Sequence, residues 1–483
     1  MKKDLLKSYI NSRPCEILGL GVSNLPLAEL ICDMGVPLTV RDKKPLSELG
    51  DRAVALEKRG VRFITGADAF DTVGGGLIFR SPGIRPDRGG LPKAISAGAE
   101  LTSEMELFLS LTNAETFAIT GSDGKTTSTT LTGEFLTAEA ERRQGGRVFI
   151  GGNIGEPLLH KVDGMGEADR AVMELSSFQL MRVKKAPMYS AITNVSPNHL
   201  DWHTGMDEYV KAKLNIVGGN TRRFVTNRDC DVTARIAREL SERSERPDLF
   251  LFSSTARSFE EIFDFPCRSS DRAIYLCGDN IVISDGMSEE ILLDTKKINV
   301  PGKHNVENFM TAIALTYSSV DASVYTKVAE SFFGVRHRLE LIRTLDGVDY
   351  FNSSIDSSPS RTAAALSALH GRDIVIICGG YDKHIPYEPL ADSLCRSARA
   401  VVLTGATGKK IEAALLGCEG YKEGAPEYVY TPDFHDAVRL ARSKARQGGC
   451  VLLSPASASF DAFPNFAVRG DTFRDIVNSF EEN

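Results

Sequence analysis

Short apolar runs that end in turn residues recur along the chain, and segments with helical character follow several of them. A short apolar run bounded by turn residues is typical of a buried strand. Helical character is clearest after Leu25, Lys125, Gly302 and Arg469. The alternation of strands with helices predicts an α/β fold. The predicted strands cover residues 16–18, 37–42, 77–80, 117–119, 147–150, 171–175, 190–195, 373–377, 400–403 and 451–453.

Two stretches depart from this pattern. Residues 273–294 alternate around a turn at Gly278-Asp279-Asn280, which predicts an antiparallel excursion. Residues 140–146 are polar and contain glycine, so we expect a surface loop there.

One stretch, TFAITGSDGKTTSTTL at residues 116–131, has the order strand, glycine turn, Lys-Thr and helix. In that order the backbone N–H groups of the turn and the N-terminus of the helix converge on phosphate oxygens. Lys125 would lie against the β- and γ-phosphates, and the Thr126 hydroxyl would bind Mg²⁺. The strict phosphate-loop pattern has glycine where this chain has Ile119. The stretch predicts a nucleotide phosphate site, with a plain strand–turn–helix connection as the alternative.

Two polar residues further along are candidates for the same site. Glu174 lies in the apolar run Ala171–Leu175, where a carboxylate is costly to bury unless it is paired or binds a metal. We therefore expect Glu174 to bind Mg²⁺, with a strand-edge glutamate as the alternative. His199 follows a predicted strand, at the end where open α/β sheets bind ligands. A single histidine is more often structural than a ligand.

Other turns carry weaker signals. The G-x-G turn at residues 19–21 has Asn24 where a third glycine would stand. Asp42 falls near the spacing of a ribose-contacting carboxylate, and a solvated acid at a strand end fits it equally well. The turn Ser81–Ile84 offers N–H groups to an anion. Residues 405–410 imitate a phosphate loop but lack the Ser or Thr after the lysine, so we interpret them as a strand–helix connection.

Composition narrows the class of protein. A chain of 483 residues is expected to form about three domains. The net charge of −7 argues against general nucleic-acid binding and against a membrane-surface role. The nine cysteines are scattered without a C-x-x-C pair, which indicates reduced thiols. The N-terminus lacks the apolar core of a signal peptide, and no run approaches the ~18 apolar residues of a membrane span. We therefore expect a cytoplasmic protein that binds neither nucleic acid nor membrane.

Six motifs occur in one order over most of the chain: GSDGKTT, GGNIG, NVSPNHLD, GKHNVEN, HRLE and GGYDK. As an ordered set they resemble the Mur ligases of peptidoglycan synthesis, ATP-dependent enzymes that join an amino acid to a UDP-linked muramoyl acceptor. Two further stretches resemble the branch of the family that adds D-glutamate to UDP-N-acetylmuramoyl-L-alanine. They are ELSSFQL at residues 174–180, and LSPASASFD at 453–461 with Asn465-Phe466 and Arg469-Gly470-Asp471.

The resemblance implies three domains. Residues 1–103 would form a Rossmann-like domain that binds the UDP moiety. Residues 104–334 would form the central P-loop ATPase-type α/β domain. Residues 335–483 would form a Rossmann-like α/β domain that binds the amino acid. We expect a monomer.

The resemblance also implies site residues. Lys125, His199, Lys213 and Arg338 would be catalytic, and Lys213 would be carbamylated, which adds a negative group that organises a second Mg²⁺. The metal ligands would be Thr126, Glu174, His199 and carbamylated Lys213. ATP would contact Gly121, Ser122, Asp123, Gly124, Lys125, Thr126, Thr127, Asn305, Asn308 and Arg338, the last at the γ-phosphate. The UDP substrate would contact Val22, Ser23, Asp42, Ser81 and Asn153, and D-glutamate would contact Ser357, Lys383, Ser459 and Phe466. From the residues alone, Lys213 would be a solvated helix lysine.

One stretch departs from the family. The family commonly has Asn-Asp-Ser-Lys-Ala-Thr-Asn where this chain has Asn352-Ser353-Ser354-Ile355-Asp356-Ser357-Ser358. The acid that would meet the ribose becomes Ser353, and the lysine becomes Ile355. Ser357 still supplies the hydroxyl expected from the family's threonine. The departure concerns substrate contacts and leaves the reaction class unchanged.

Several functions remain alternatives. A sister Mur ligase or a folylpolyglutamate synthase-like ligase would share the phosphate turn and the His-Arg pair. A non-ligating P-loop ATP-binding module, a kinase or a GTPase would share the turn alone. The chain has no Asn-Lys-x-Asp guanine motif after a strand, which argues against a GTPase. A binding module would not need Glu174, His199 and Lys213 to converge.

Overall fold

Three β-sheets organise the part of the chain that the computed structural model describes, which is residues 2–10, 13–200, 202–300, 302–383 and 385–482. The chain divides into two units, Met1–Ser331 and Phe332–Asn483. The first unit contains two sheets and the second contains one. Parallel strand pairs predominate, so the predicted α/β class is confirmed. Within the described ranges, no helix has both the length and the apolar character needed to cross a bilayer.

The first sheet has five parallel strands, β1 (Cys15–Leu18), β2 (Leu38–Asp42), β3 (Arg62–Thr65), β4 (Leu77–Arg80) and β5 (Glu100–Thr102). Their order is β3-β2-β1-β4-β5. Because β1 lies between β2 and β4, the turns after β1 and β4 meet at the carboxyl edge, where open α/β sheets bind ligands. The helices are α1 (Lys2–Ile10), α2 (Gly21–Asp33), α3 (Asp51–Lys58), α4 (Leu91–Ser96) and α5 (Glu104–Leu111).

The second sheet has nine strands, β6 (Glu115–Thr120), β7 (Val148–Gly152), β8 (Arg170–Glu174), β9 (Tyr189–Ile192), β10 (Arg223–Asn227), β11 (Asp248–Phe252), β12 (Arg272–Cys277), β13 (Asn280–Ser284) and β14 (Glu289–Asp294). Their order is β14-β13-β12-β11-β10-β9-β6-β8-β7. β12, β13 and β14 pair antiparallel, which confirms the excursion predicted for residues 273–294. β6 lies between β8 and β9, so the turn after β6 opens beside the ends of both neighbours.

The helices of this part of the chain are α6 (Lys125–Arg143), α7 (Ser177–Leu180), α8 (Met206–Leu214), α9 (Asp231–Ser241), α10 (Phe259–Ile262), α11 (Lys303–Thr316) and α12 (Ala322–Ser331). The loop predicted over residues 140–146 is confirmed for residues 144–146 and wrong for residues 140–143, because α6 continues to Arg143. Glu139 pairs with Arg142 and Arg143 at i+3 and i+4 spacing. Such pairs stabilise a helix although its sequence is polar.

The third sheet, in the second unit, has six strands, β15 (Glu340–Leu345), β16 (Val348–Asn352), β17 (Ile374–Gly379), β18 (Ala398–Thr404), β19 (Glu427–Tyr430) and β20 (Cys450–Leu453). Their order is β15-β16-β20-β17-β18-β19, and only β15 and β16 pair antiparallel. Ile376 packs into the core on one face and Val375 into the core on the other. Burial of both faces explains the continuous apolar run of β17.

Five helices cover this sheet: α13 (Pro359–Ala368), α14 (Glu388–Ser397), α15 (Gly408–Leu416), α16 (Phe434–Lys444) and α17 (Phe466–Asn478). The neighbouring parallel strands β16, β20 and β17 end at one edge. The loops that follow them begin at residues 353, 454 and 380, so the predicted amino-acid-binding segments share that edge.

Candidate active site

The turn between β6 and α6 requires glycine at two positions. Gly121 and Gly124 have φ values of +152° and +76°. A Cβ at Gly121 would overlap the Thr193 hydroxyl, and a Cβ at Gly124 would overlap Oδ1 of Asn308. The turn therefore brings its backbone close to its neighbours and leads directly into the N-terminus of α6, the kind of place where phosphate sites form.

Hydrogen bonds from the loop after β9 fix this turn. The N–H of Asp123 donates to Oδ1 of Asn194, and the N–H of Ser122 donates to the Asn194 carbonyl, both at 2.9 Å. Nζ of Lys125 donates to the Ser122 carbonyl at 2.8 Å. The ammonium group therefore lies over the turn, and Thr127 is half-buried in the first turn of α6.

Thr126, Glu174 and Asn153 form one hydrogen-bonded chain. The Thr126 hydroxyl donates to Oε2 of Glu174 at 2.7 Å, and Nδ2 of Asn153 donates to Oε1 at 2.7 Å. The Glu174 side chain is buried. A hydroxyl and a carboxylate are oxygen ligands of the kind that Mg²⁺ takes, so the pair fits the predicted ion. Asn153, predicted as a contact of the UDP substrate, is placed here as the partner of Glu174.

Lys213 is buried against the same turn. Only 1% of the residue is exposed, and Nζ donates to the Gly121 carbonyl at 2.7 Å and to the Thr120 hydroxyl at 3.4 Å. The ammonium also lies 4.5 Å from the centre of the Tyr209 ring. Burial, reinforced by the charge of Lys125, lowers the pKa of Lys213 to about 7. The interpretation of Lys213 as a solvated lysine from its residues alone is therefore wrong.

His199 lies in the loop after β9 with an unusual backbone. Its φ is +54°, and its ring packs edge-on against Phe178 with the ring centres 4.9 Å apart. Its carbonyl accepts hydrogen bonds from the N–H groups of Trp202 and His203 at 3.1 and 2.9 Å. Among the described residues, no three His, Cys, Asp or Glu side chains form a group that could hold a metal ion. The predicted metal set contains only two such residues, His199 and Glu174.

A cavity of about 140 Å³ adjoins the glycine turn. Asp123 and Gly124 form one wall, and His304 and Asn308 of α11 form another. Nδ2 of Asn308 donates to Oδ1 of Asn305 at 3.2 Å. The two asparagines predicted to contact ATP are therefore adjacent, and Asn308 lines a cavity beside the phosphate turn.

The predicted UDP contacts of the first sheet surround the turn after β1. Oδ2 of Asp42 accepts a hydrogen bond from the N–H of Leu20 at 2.9 Å. A Cβ at Gly19 would lie 2.8 Å from Cβ of Ser81, so Ser81 packs directly on this turn. Ser23 is half-buried in α2. Val22 belongs to α2, but its side chain lies outside the described part of the chain.

Sequence reasoning missed Arg80. Its guanidinium is buried and donates to the carbonyls of Pro82, Ile84 and Phe178. Burial lowers the pKa of Arg80 to about 10. Arg80 therefore shapes the turn that carries Ser81 and ties it to α7. An arginine at the end of an apolar strand, directly before Ser-Pro-Gly, was the available signal.

In the second unit, the structure brings Lys383 and Ser357 together. Nζ of Lys383 donates to the Ser357 hydroxyl at 3.3 Å and to its carbonyl at 3.4 Å. The N–H of Tyr381 donates to the Ala458 carbonyl at 2.9 Å, which joins the loop of Lys383 to the loop of buried Ser459.

A second missed residue, Arg469, joins the loops around this pocket. Its guanidinium is 2% exposed and donates to the Ser354 hydroxyl at 3.0 Å and to the Ser457 and Ala458 carbonyls at 3.1 and 3.0 Å. Burial lowers the pKa of Arg469 to about 10. Phe466 is 40% exposed, and its carbonyl accepts a hydrogen bond from Ser354. In the sequence, the one signal for Arg469 was its position in the Arg469-Gly470-Asp471 run.

Arg338 is half-buried in the turn before β15. The segment Asn352–Ser358, which departs from the family sequence, lies against that turn. The Ser353 hydroxyl accepts a hydrogen bond from the N–H of Leu339 at 3.1 Å, and the N–H of Ile355 donates to the His337 carbonyl at 3.2 Å.

Models of two known protein domains match this chain. The model of the Mur ligase middle domain matches residues 119–316, and that of the Mur ligase glutamate ligase domain matches residues 337–457. A UDP-N-acetylmuramoylalanine--D-glutamate ligase from Ruminiclostridium cellulolyticum is 39% identical over 485 residues, 99% of this chain and 99% of its own length. An enzyme of the same name from Clostridium novyi is 40% identical over 486 residues, 99% of this chain and 100% of its own length.

Solved structures share the fold. A UDP-N-acetylmuramate-alanine ligase from Thermotoga maritima has a TM-score of 0.53 at 19% identity and covers 97% of this chain and 99% of its own. A UDP-N-acetylmuramoyl-L-alanyl-D-glutamate--2,6-diaminopimelate ligase has a TM-score of 0.54 at 15% identity, over 96% of this chain and 93% of its own. Fold and family models together define an ATP-dependent α/β ligase. The chain belongs to the Mur ligase family.

Proposed function

We propose that this ligase joins D-glutamate to UDP-N-acetylmuramoyl-L-alanine at the expense of ATP, through an acyl phosphate. The observation that carries the proposal is the meeting of the Thr126 hydroxyl with Glu174 beside the glycine turn. The names of the relatives that align over nearly the whole chain support both the acceptor and the amino acid.

The first step requires two anions to meet. The acceptor carboxylate attacks the γ-phosphorus, a new O–P bond forms, and ADP leaves with the electrons of the broken bond. The N–H groups at the start of α6 and Lys125 hold the phosphates, and Arg338 adds positive charge at the γ-phosphate. Thr126 and Glu174 would hold one Mg²⁺ and His199 a second, and these ions would neutralise charge on the transferring group.

We propose that Lys213 carries a carbamate. The neutral amine would bond to the carbon of CO₂ and release one proton, which leaves a group with one negative charge. The burial of Nζ against a carbonyl, a hydroxyl and an aromatic ring supports this, because none of these partners neutralises an ammonium charge. A carbamate oxygen would then join His199 at the second ion.

In the second step the amine of D-glutamate attacks the acyl phosphate. The amine is neutral when it attacks, having lost its ammonium proton to solvent. A tetrahedral intermediate forms at the acyl carbon, the nitrogen releases a second proton, and the C–O bond to phosphate breaks, which gives the amide and free phosphate. Lys383 binds a glutamate carboxylate as a point charge, and Ser357 and Ser459 donate hydroxyl hydrogen bonds. The contact between Lys383 and Ser357 supports a shared pocket, which Phe466 borders.

The remaining assignments extend this proposal. Val22, Ser23, Asp42, Ser81 and Asn153 bind the UDP acceptor, and Asn305 and Asn308 bind the adenine side of ATP. The domains are residues 1–103, 104–334 and 335–483. The protein acts in the cytoplasm, where ATP is available, and it acts as a monomer.

Phosphate release tests the proposal. The protein is incubated with ATP, Mg²⁺ and UDP-N-acetylmuramoyl-L-alanine, and D-glutamate, L-glutamate, L-lysine or meso-diaminopimelate is added in turn. We expect release with D-glutamate alone. Release with another amino acid would assign the chain to a sister ligase, and no release with any of them would leave a nucleotide-binding role without ligation.

A further inference from the structure

The turn that presents Arg338 has a backbone that its residues do not favour. His337 and Leu339, on either side of Arg338, have φ values of +64° and +44°. Residues with a Cβ rarely adopt this left-handed region, and they remain there only when neighbouring groups hold them. The contacts of this turn therefore determine where the Arg338 guanidinium is presented.

Hydrogen bonds on both sides of Arg338 hold the turn, and the N–H of Arg338 itself donates to the Val335 carbonyl at 2.9 Å. The N–H of His337 donates to Oε2 of Glu340 at 2.9 Å, and the N–H of Ile355 donates to the His337 carbonyl at 3.2 Å. The N–H of Leu339 donates to the Ser353 hydroxyl at 3.1 Å. Glu340 belongs to the strand that follows the turn, whereas Ser353 reaches Leu339 from the loop after β16. Ser353 therefore connects the turn to the loop after β16, and its own N–H donates to the Leu453 carbonyl of β20 at 2.7 Å.

Asp356, in the same loop as Ser353, supports Ser353. The Ser353 hydroxyl opposes the rise that burial causes in the pKa of the Asp356 carboxylate, and the N–H of Asp356 donates to the Ser353 carbonyl at 3.0 Å. Because the hydroxyl accepts from Leu339, its one proton is available for Asp356. The Ser454 hydroxyl donates to Oδ2 of Asp356 at 2.8 Å. Ser353 and Asp356 are 1% and 6% exposed, so water does not compete for these bonds.

The charge of Asp356 also acts on Arg338. Burial raises the pKa of Asp356, and the Arg338 and Arg361 charges oppose that rise. The carboxylate therefore lies within the field of the arginine whose turn it supports. Asp356 therefore supports the Ser353 loop and lies among the charges of Arg338 and Arg361.

We propose that Ser353 and Asp356 are positioning residues that hold the Leu339 N–H and thereby fix Arg338 for phosphoryl transfer. The inference rests on the proposed function, in which Arg338 meets the γ-phosphate. It also explains how the segment Asn352–Ser358 works although it departs from the family sequence. The family commonly has an aspartate where this chain has Ser353. In this chain the Asp356 carboxylate takes its place and acts through the Ser353 hydroxyl.

Single substitutions test whether Ser353 and Asp356 position Arg338. Ser353→Ala removes the acceptor of the Leu339 N–H, and Asp356→Ala removes the group that orients the hydroxyl. Each is expected to lower kcat for D-glutamate-dependent phosphate release by about 10- to 100-fold, because small displacements of a catalytic group have effects of this size. The dissociation constant of a fluorescent ATP analogue is expected to stay unchanged. Ser360→Ala, on an exposed serine of α13, is the matched control and is expected to keep the activity.

A double-mutant cycle separates positioning from general stability. In an Arg338→Ala background, Ser353→Ala is expected to change the residual rate by less than about twofold, because the group it positions is gone. An equal loss in both backgrounds would overturn the proposal, as would full activity of both single variants. Ser353→Ala deletes one oxygen, so it carries the test if Asp356→Ala does not fold. Activity of the unsubstituted enzyme tests the proposed function separately.

A reciprocal exchange provides an independent check. Ser353→Asp alone places two carboxylates side by side in a buried loop, and like charges there repel. It is expected to be less active than the double variant Ser353→Asp/Asp356→Ala, which restores one carboxylate. A double variant no better than Ser353→Asp would contradict the role assigned to Asp356.

Discussion

The Thr126 hydroxyl donates a hydrogen bond of 2.7 Å to Oε2 of Glu174, although the two residues lie 48 positions apart in the chain. The bond joins the first turn of α6 to the end of β8, and β8 is a direct neighbour of β6 in the sheet. Two oxygen ligands suited to Mg²⁺ are thus brought to one point beside the phosphate turn. The order of strands in the sheet sets this meeting point, because the carboxyl ends of adjacent parallel strands share an edge.

Loss of either ligand is expected to impair the use of magnesium. Thr126→Val and Glu174→Gln should each lower kcat by about 100-fold or more, because a group that stabilises charge in the transition state is lost. A titration of Mg²⁺ should also show a weaker apparent affinity. Thr137→Val is the matched control, because its hydroxyl donates only to the Gly133 carbonyl within α6. Equal activity of Thr126→Val and Thr137→Val would remove Thr126 from the metal site.

Asn153 is expected to act on Glu174 as well as on the UDP acceptor. Its Nδ2 donates to Oε1 of Glu174, so Asn153→Ala frees one carboxylate oxygen to rotate. Loss of such a supporting hydrogen bond typically weakens metal affinity by about 10- to 100-fold. Initial rates measured against Mg²⁺ and against the UDP acceptor distinguish the two roles. A rise confined to KM for the acceptor would make Asn153 a substrate contact only.

Carbamylation of Lys213 is expected to depend on pH near neutrality. The amine must be neutral to bond to CO₂, and its lowered pKa of about 7 makes it mostly neutral one unit above that value, where an ordinary lysine with a pKa of 10.5 is protonated. Raising the pH from one unit below to one unit above the Lys213 pKa should therefore increase the carbamate signal.

Carbon NMR of the protein equilibrated with isotope-labelled bicarbonate measures this signal. Lys213→Arg should abolish it, and Lys211→Arg, on the same helix, should not. A carbamate signal that persists in Lys213→Arg would place the modification at another lysine.

Gly470 is expected to be intolerant of a side chain. A Cβ there would lie 2.2 Å from Nδ1 of His337 and 3.0 Å from Cβ of Ser354. Gly470→Ala should reduce the free energy of unfolding of the second unit by about 1–3 kcal/mol, as overpacking of a buried site does. It should also lower activity, because His337 belongs to the Arg338 turn. Chemical denaturation monitors the stability change.

Gly417→Ala is the matched control for Gly470→Ala. Gly417 lies at the end of α15 with an ordinary backbone, and its Cβ would make only van der Waals contacts. We expect a change within about 0.5 kcal/mol. Equal stability of the two variants would show that the His337 ring moves aside at little cost.

The phosphate turn could be predicted because its chemistry is local. A glycine turn between an apolar strand and a helix limits the backbone to few conformations, and Lys125 and Thr126 follow it directly. Glu174 could be predicted as a ligand because a carboxylate inside an apolar strand needs a partner. Both inferences use residues within one segment, so no knowledge of tertiary packing is required.

The positions of Lys213 and Asp356 could not be predicted in this way. α8 places Lys213 toward Gly121, 92 residues away, and only the packed fold shows that its ammonium is buried. Asp356 accepts a hydrogen bond from the hydroxyl of Ser454, which lies 98 residues further along the chain. The same holds for Arg469, whose partners lie in two separate loops. A polar residue whose partners are polar groups far away in the sequence leaves no local motif or periodicity that would predict its contacts.

The identity of the product, together with the fate of the acceptor oxygen, tests the central claim most directly. The acceptor UDP-N-acetylmuramoyl-L-alanine is labelled with heavy oxygen in its carboxylate and incubated with ATP, Mg²⁺ and D-glutamate. Mass spectrometry should find a product that has gained one glutamyl residue, and released phosphate that carries one heavy oxygen from the acyl phosphate. Unlabelled phosphate without a glutamyl product would show that water is the nucleophile, and would contradict the ligase account.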